Sequence, residues 1–269
     1  MKIPFTKAHG AKNDFLLTWA GDAPASGLDE LARAICDRHT GIGADGWMLM
    51  TPGAGGDHAS IQLYNSDGST SEISGNGTRC VAAFLVYSGL VSGSEARIRT
   101  GAGLKRLRLI DRQELAYRFE MEMGSPRYTD RERRCTFEIG TETLDVTILN
   151  VGNPQCAVFV ENFGFDWRRL GSAIECHPAF PNRTNVSFIR VLDRNAIEVR
   201  IWERGAGETM SSGTGSTGAA FAALLRGLVE SPVRVATPAG DLDFRAESGT
   251  GYLTGPAELV GDGEYYVRR

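Results

Sequence analysis

A chain of 269 residues, 42% hydrophobic and 23% charged, has the length and composition of a soluble globular protein of one large or two medium domains. Its net charge of −4 argues against a nucleic-acid-binding or anionic-membrane surface and leaves a small zwitterionic ligand open. Apolar runs such as Val81 to Val86 are far too short to span a bilayer, and the N-terminal Met1-Lys2-Ile3-Pro4-Phe5 lacks the pattern of a signal peptide, so a cytoplasmic protein is expected.

In chain order, residues 7–15 read as a polar turn leading into a strand from Phe15 to Trp19. Leu28, Leu31, Ala32 and Ile35 have helical spacing, and Arg38 to Gly46 is a glycine-rich loop before the strand-like Trp47 to Met50. Ile61 to Asn65 alternates as a strand and turns at Ser66-Asp67-Gly68. After an apolar helix beginning near Gly75, the runs 107–110 and 117–123 read as half-exposed antiparallel strands. The second half restarts with strands at 137–139 and 144–149 and a turn at 150–155. A helix over 167–175, a loop over 181–185 and a strand over 197–202 then deliver Glu203 and Arg204. Strands at 233–235 and 242–244 follow a second apolar helix. The plan is α+β, with mostly antiparallel strands wrapped around one buried helix in each half.

The two apolar helices share one opening. Ser74-Gly75-Asn76-Gly77 is matched by Ser212-Gly213-Thr214-Gly215, 138 residues later (212 − 74). Each copy puts a small hydroxyl residue where a helix N-cap belongs, and its glycines let a ligand approach the unpaired N–H groups of the first turn. Such a terminus suits an anion. Two of them facing one cleft would hold a carboxylate from both sides, with Ser74 and Ser212 opposed across it.

Other chemistries are poorly supported. The five cysteines are odd in number and include no C-x-x-C pair, and the four histidines lie outside any metal-ligand spacing. Buried free thiols are the default. Gly213 to Gly218 spells G-x-G-x-x-G, but no apolar strand precedes it and the first copy has Cys80 in place of the third glycine, so a dinucleotide site is disfavoured.

Over nearly its whole length the chain resembles the diaminopimelate epimerase family. The resemblance rests on His9-Gly-x-x-Asn13-Asp14-Phe15, Asp37-Arg38-His39-x-Gly41 through Gly46, Asn65-x-Asp67-Gly68-Ser69 and Gly75-Asn76-Gly77-x-Arg79-Cys80. It continues through Gly152-Asn153-Pro154, Thr184-Asn185-Val186-x-Phe188, Glu203-Arg204-Gly205-x-Gly207-Glu208-Thr209 and Gly213-Thr214-Gly215. It implies two pseudo-symmetric halves, each a mostly antiparallel sheet around a central helix, with the active site in the cleft between them. The expected boundaries are 1–116 plus 259–269 for the N-terminal half and 117–258 for the C-terminal half. The implied reaction is interconversion of LL- and meso-diaminopimelate without a cofactor: one base removes the α-proton from one face while a conjugate acid returns a proton on the other. Asn13, Asn65, Asn153, Asn185 and Arg204 would hold the substrate, and Glu203 would belong to the polar shell at the reacting centre. Gly75, Asn76, Gly213 and Thr214 would offer backbone N–H groups to the reacting carboxylate. The expected partner is a small zwitterionic amino acid, with no metal, nucleic acid or membrane; a homodimer is left open.

The sequence departs from the family at the acid/base positions. By the resemblance both would be cysteine, and here they are Ser74 and Ser212. Gln155 stands where a histidine usually follows Gly-Asn-Pro, Gly46 where a glutamine is often found, and Thr217 where a further cysteine is frequent. Three readings therefore stand: an epimerase using the serine positions, a related isomerase or dehydratase using Glu203 or Glu208 as base on another substrate, and a homologue that binds an amino acid without turnover.

Overall fold

A computed structural model of the protein describes residues 1–140 and 142–267; residues 268–269, assigned above to the N-terminal half, lie outside the described residues. The chain forms two compact units, one running from Met1 to Met121 with the stretch from Gly255 onward, the other from Glu122 to Thr254.

The first unit opens on an antiparallel hairpin of β1 (Lys2–Gly10) and β2 (Asn13–Trp19). Most of the stretch expected as a polar turn is therefore strand. Only Ala11 and Lys12 turn the chain, with φ of 52° and 60°, as a tight two-residue hairpin requires. Ala8 and Gly10 point inward while Lys7 and His9 are half-exposed, a period of two that the polar residues conceal. There follow α1 (Leu28–Cys36), β3 (Gly46–Pro52), β4 (Ala59–Asn65), the short β5 (Thr70–Ser71) and α2 (Gly75–Tyr87). Then come β6 (Glu95–Thr100), β7 (Gly103–Gln113) and β8 (Ala116–Gly124). Strands β2 with β3 and β4 with β6 pair in parallel, and parallel neighbours need a crossover. Helices α1 and α2 are those crossovers. The chain's last strand (Thr250–Tyr266) pairs with both β1 and β8, so the sheet of this unit closes on itself. Helix α2 is buried almost throughout, from Asn76 to Ala83 and at Leu85, and lies against β1, β2 and β6. Helix α1 buries Leu31, Ala32 and Ile35 against Ile3, Leu16 and Trp47 in a separate cluster.

The second unit contains α3 (Asp130–Arg133), β9 (Cys135–Ile139), β10 (Glu142–Asn150), β11 (Pro154–Phe159) and α4 (Trp167–Glu175). It continues with β12 (Asn185–Asp193), β13 (Ala196–Glu203), β14 (Gly207–Thr209), α5 (Gly213–Leu225), β15 (Val233–Thr237), β16 (Gly240–Glu247) and the start of β17, the last strand. Again two parallel pairs, β11 with β12 and β13 with β15, are bridged by helices, here α4 and α5. The order of pairings and crossovers in the first unit recurs in the second. Alternation along the strands assigns each side chain to one helix: Cys156, Val158, Val186 and Phe188 pack with Trp167, Leu170 and Ile174 of α4. Their strand neighbours Ala157 and Ile189, with Ile197, Val199 and Ile201, pack with Ala219 to Ala223 of α5. The small residues of α5 suit it to this position, since they let strands approach on every side. Among the described residues no helix is long and apolar enough to cross a membrane.

Candidate active site

Each unit carries one serine-capped helix. Ser74 and Ser212 both have extended backbones, with φ/ψ of −126°/119° and −136°/127°, and each precedes a helix of 13 residues. The Ser74 hydroxyl accepts the N–H of Gly77 at 3.1 Å and the Ser212 hydroxyl that of Gly215 at 3.2 Å. The earlier N–H groups, on Gly75 and Asn76 and on Gly213 and Thr214, have no carbonyl within their helix to reach. Among the described residues none of these four N–H groups has an acceptor, so both termini present free donors and the positive end of the helix dipole.

In the first unit the cap is tied to the β1–β2 hairpin. Asn76 donates from Nδ2 to Asn13 Oδ1 at 3.3 Å, and Asn13 donates from its own Nδ2 to Asp45 Oδ2 at 2.7 Å. Arg38 reaches both Asp45, at 2.8 Å, and Asp14, at 2.7 Å. Burial acts to raise the Asp14 carboxyl, yet hydrogen bonds and charge from Arg38 and Lys7 outweigh it and hold the group down at about 2. Asn65 ends β4, and its Nδ2 donates to Ser69 Oγ and Ser71 Oγ at 2.9 and 3.0 Å, so its amino group braces the turn leading to the cap.

In the second unit Asn153 reaches the first turn of α5, while Asn185 and Arg204 are joined to each other. Asn153 donates to Thr214 Oγ1 at 3.2 Å and accepts from Gln155 Nε2 at 2.7 Å. Gln155 is buried against α5 where a Cβ on Gly218 would stand 2.9 Å from its Cγ, so glycine at that helical position makes its room. Asn185, opposite Gln155 across β11 and β12, donates to Pro154 O at 2.9 Å and accepts the Arg204 N–H at 3.0 Å. That bond fixes the hairpin between β13 and β14, which turns through Gly205 at φ 78°. The Arg204 guanidinium is exposed, with Nη1 on Asn182 O at 3.2 Å. Glu203 ends β13; burial pushes its carboxyl up, and interaction with the Ser212 side chain draws it partly back.

Four further side chains contribute that the sequence does not mark as site residues. Asp45 orients Asn13, and Gln155 orients Asn153. Buried Glu175 at the end of α4 accepts from Trp202 Nε1 and Gly205 N, both at 2.8 Å, and from Arg183 Nη1 at 3.2 Å. Arg79 lies fully buried in α2. A lone arginine inside an apolar helical run was the sequence signal for the last; nothing local marked Glu175. The buried thiols of Cys36 and Cys80 are pushed up by burial to about 12, which leaves them unreactive near neutrality.

The chain matches the diaminopimelate epimerase family over residues 5–129 and 147–260. It is 40% identical to the diaminopimelate epimerase of Pelotomaculum thermopropionicum, across 98% of this chain and 99% of that protein. Among solved structures it is similar to a Bacillus anthracis phenazine biosynthesis protein of the PhzF family, with a TM-score of 0.74, 13% identity, and 99% and 100% of the two chains covered. It is also similar to a hydroxyproline epimerase from Agrobacterium vitis, with a TM-score of 0.72, 16% identity, and 98% and 92% covered. These structural likenesses are ones of fold, whereas the family match spans the residues of both capped helices. The chain belongs to the diaminopimelate epimerase family.

Proposed function

We propose that this protein is a diaminopimelate epimerase that interconverts the LL and meso forms by two-base proton transfer, with Ser74 and Ser212 at the proton-transfer positions. The observation that carries this reading is the pair of helix N-termini, one per unit, each opened by a capping serine and a glycine-flanked first turn. Removing an α-proton drives negative charge onto the adjacent carboxylate, and preorganised N–H donors with helix dipoles act most strongly on charge that develops in the transition state. Inversion moves one proton off the α-carbon and another onto its opposite face, so atoms balance without oxidation. Two equivalent caps suit a reaction that runs in both directions.

The two caps differ in what backs them. The Glu203 carboxyl is influenced by the Ser212 side chain, which gives that hydroxyl a nearby proton acceptor. Asn153 bonds to Thr214 of the α5 first turn and Asn185 to the Arg204 N–H, while Asn13 bonds to Asn76 of the α2 first turn. We assign Asn13, Asn76, Asn153, Asn185 and Arg204 to the grip on the substrate, with Arg204 on the non-reacting amino-acid end. Asn65 supports the turn before Ser74 and acts through it. Family membership favours this reading over a dehydratase or a binding-only homologue, and the recurrent order of pairings and crossovers supports two pseudo-symmetric halves. The test is incubation with LL-diaminopimelate in deuterated water under NMR. Meso product supports the assignment, and saturable binding without α-hydrogen exchange contradicts it.

A further inference from the structure

Arg79 stands five residues into α2, and its side chain turns back toward the helix N-terminus, as helical side chains do. Its Nε donates to Pro256 O at 3.0 Å, Nη2 donates to Asn76 Oδ1, and Nη1 has no hydrogen-bond partner among the described residues. Among those residues no carboxylate pairs with it, and its relative exposure is 0%. Burying a cation with only neutral acceptors and one empty donor is costly. Burial lowers its pKa only to about 10, so it stays charged at neutral pH.

The fold does not itself require this charge. At the equivalent place in α5, 138 residues on (217 − 79), stands Thr217, whose hydroxyl returns to Gly213 O at 2.8 Å, and that capped helix is equally well buried. Bracing Pro256 would need only a neutral donor. What a buried unpaired guanidinium lacks is an anion, and its hydrogen bond to Asn76 leads to the first turn, where free N–H groups await one. The same bond orients the Asn76 amide, whose Nδ2 then meets Asn13 Oδ1.

We propose that Arg79 is a positioning residue and built-in counter-charge for the α2 half-site, fixing Asn76 and favouring negative charge at the helix N-terminus beside Ser74. The charge it serves rests on the function proposed above: the substrate carboxylate as the α-proton leaves. Both buried charge and helix dipole then act on one end of α2, while α5 has its dipole alone to favour negative charge.

The test uses the full chain carrying Ser74→Cys, with Arg79 native, Arg79→Lys or Arg79→Gln. The pH dependence of iodoacetamide alkylation at position 74, read by peptide mass spectrometry, reports the thiol pKa with no substrate present. Arg79→Gln is expected to raise that pKa by about one unit or more, and Arg79→Lys by much less, because an opposite charge nearby favours the thiolate. Equal values for the native arginine and Arg79→Gln, in chains with native circular dichroism, overturn the proposal. If Arg79→Gln does not fold, the comparison moves to native Arg79: the thiol from Ser74→Cys must titrate below that from Ser212→Cys, and the reverse order overturns the proposal. In the Ser74→Cys, Ser212→Cys background, Arg79→Gln should lower kcat for diaminopimelate more than it raises KM. Absence of turnover in every form counts against the proposed reaction only, and the thiol titration still decides the role of Arg79.

Discussion

At the residue scale the serines dominate the chemistry. A thiol titrates near 8.5 and lower at a helix N-terminus, whereas an alcohol lies close to water at about 15.7, a gap of about seven units or about 10 kcal/mol for forming the base. Ser74→Cys with Ser212→Cys should therefore raise α-proton exchange by about a hundredfold or more under reducing conditions. Equal rates measured by NMR would place the acid/base groups elsewhere. Glu203 provides a second prediction. Its folded pKa is raised, so its ionised form costs stability above the unfolded value near 4.5. Glu203→Gln should then gain Tm relative to the native chain as pH rises past that value, while slowing exchange; a gap independent of pH would contradict the burial of an ionisable group there. The capping serines were legible in the sequence because a cap is a local pattern. Asn65 was legible by position, but its bonds to Ser69 and Ser71 were not, since they depend on how the turn folds back.

At the element scale the hairpin from Glu203 to Gly207 is held from outside by Glu175 and Asn185. Burial opposes ionisation of Glu175, but bonds from Trp202, Gly205 and Arg183 prevail and lower its pKa. Its contribution is therefore complete above about pH 4.5 and lost as pH falls through the folded value. Glu175→Gln should cost about 1.5–3 kcal/mol near neutrality, as loss of charge-assisted bonds does, and raise KM for diaminopimelate by displacing Arg204. Denaturation and steady-state kinetics check both, and unchanged stability at pH 7 would show that the carboxylate does not hold the hairpin. The helices α1 and α4 were legible from apolar spacing, since one face of each meets a sheet. Strand β1 was not fully so: Lys7 and His9 occupy its half-exposed face, and a polar alternation looks like a turn when the inward residues are alanine and glycine. Strand β17 was missed for a related reason, its glycines and proline reading as breakers although its inward positions alternate cleanly from Gly251 to Leu259.

At the scale of the whole molecule the fold narrows the possibilities less than the family does. Structures with TM-scores of 0.74 and 0.72 carry names as different as a phenazine biosynthesis protein and a hydroxyproline epimerase, so the architecture alone does not choose a reaction. The internal repeat was legible because both copies retained the cap, the glycines and the apolar helix. The unpaired charge inside only one copy became meaningful once its partners were seen. Inversion by two separate groups leaves a distinct isotopic pattern when LL-diaminopimelate is incubated in deuterated water. If one group takes the proton and another delivers solvent deuterium, meso product should form deuterated at the inverted carbon while the remaining LL substrate keeps its hydrogen at early times. Deuterium appearing in recovered LL substrate as fast as in the meso product would contradict the two-base account.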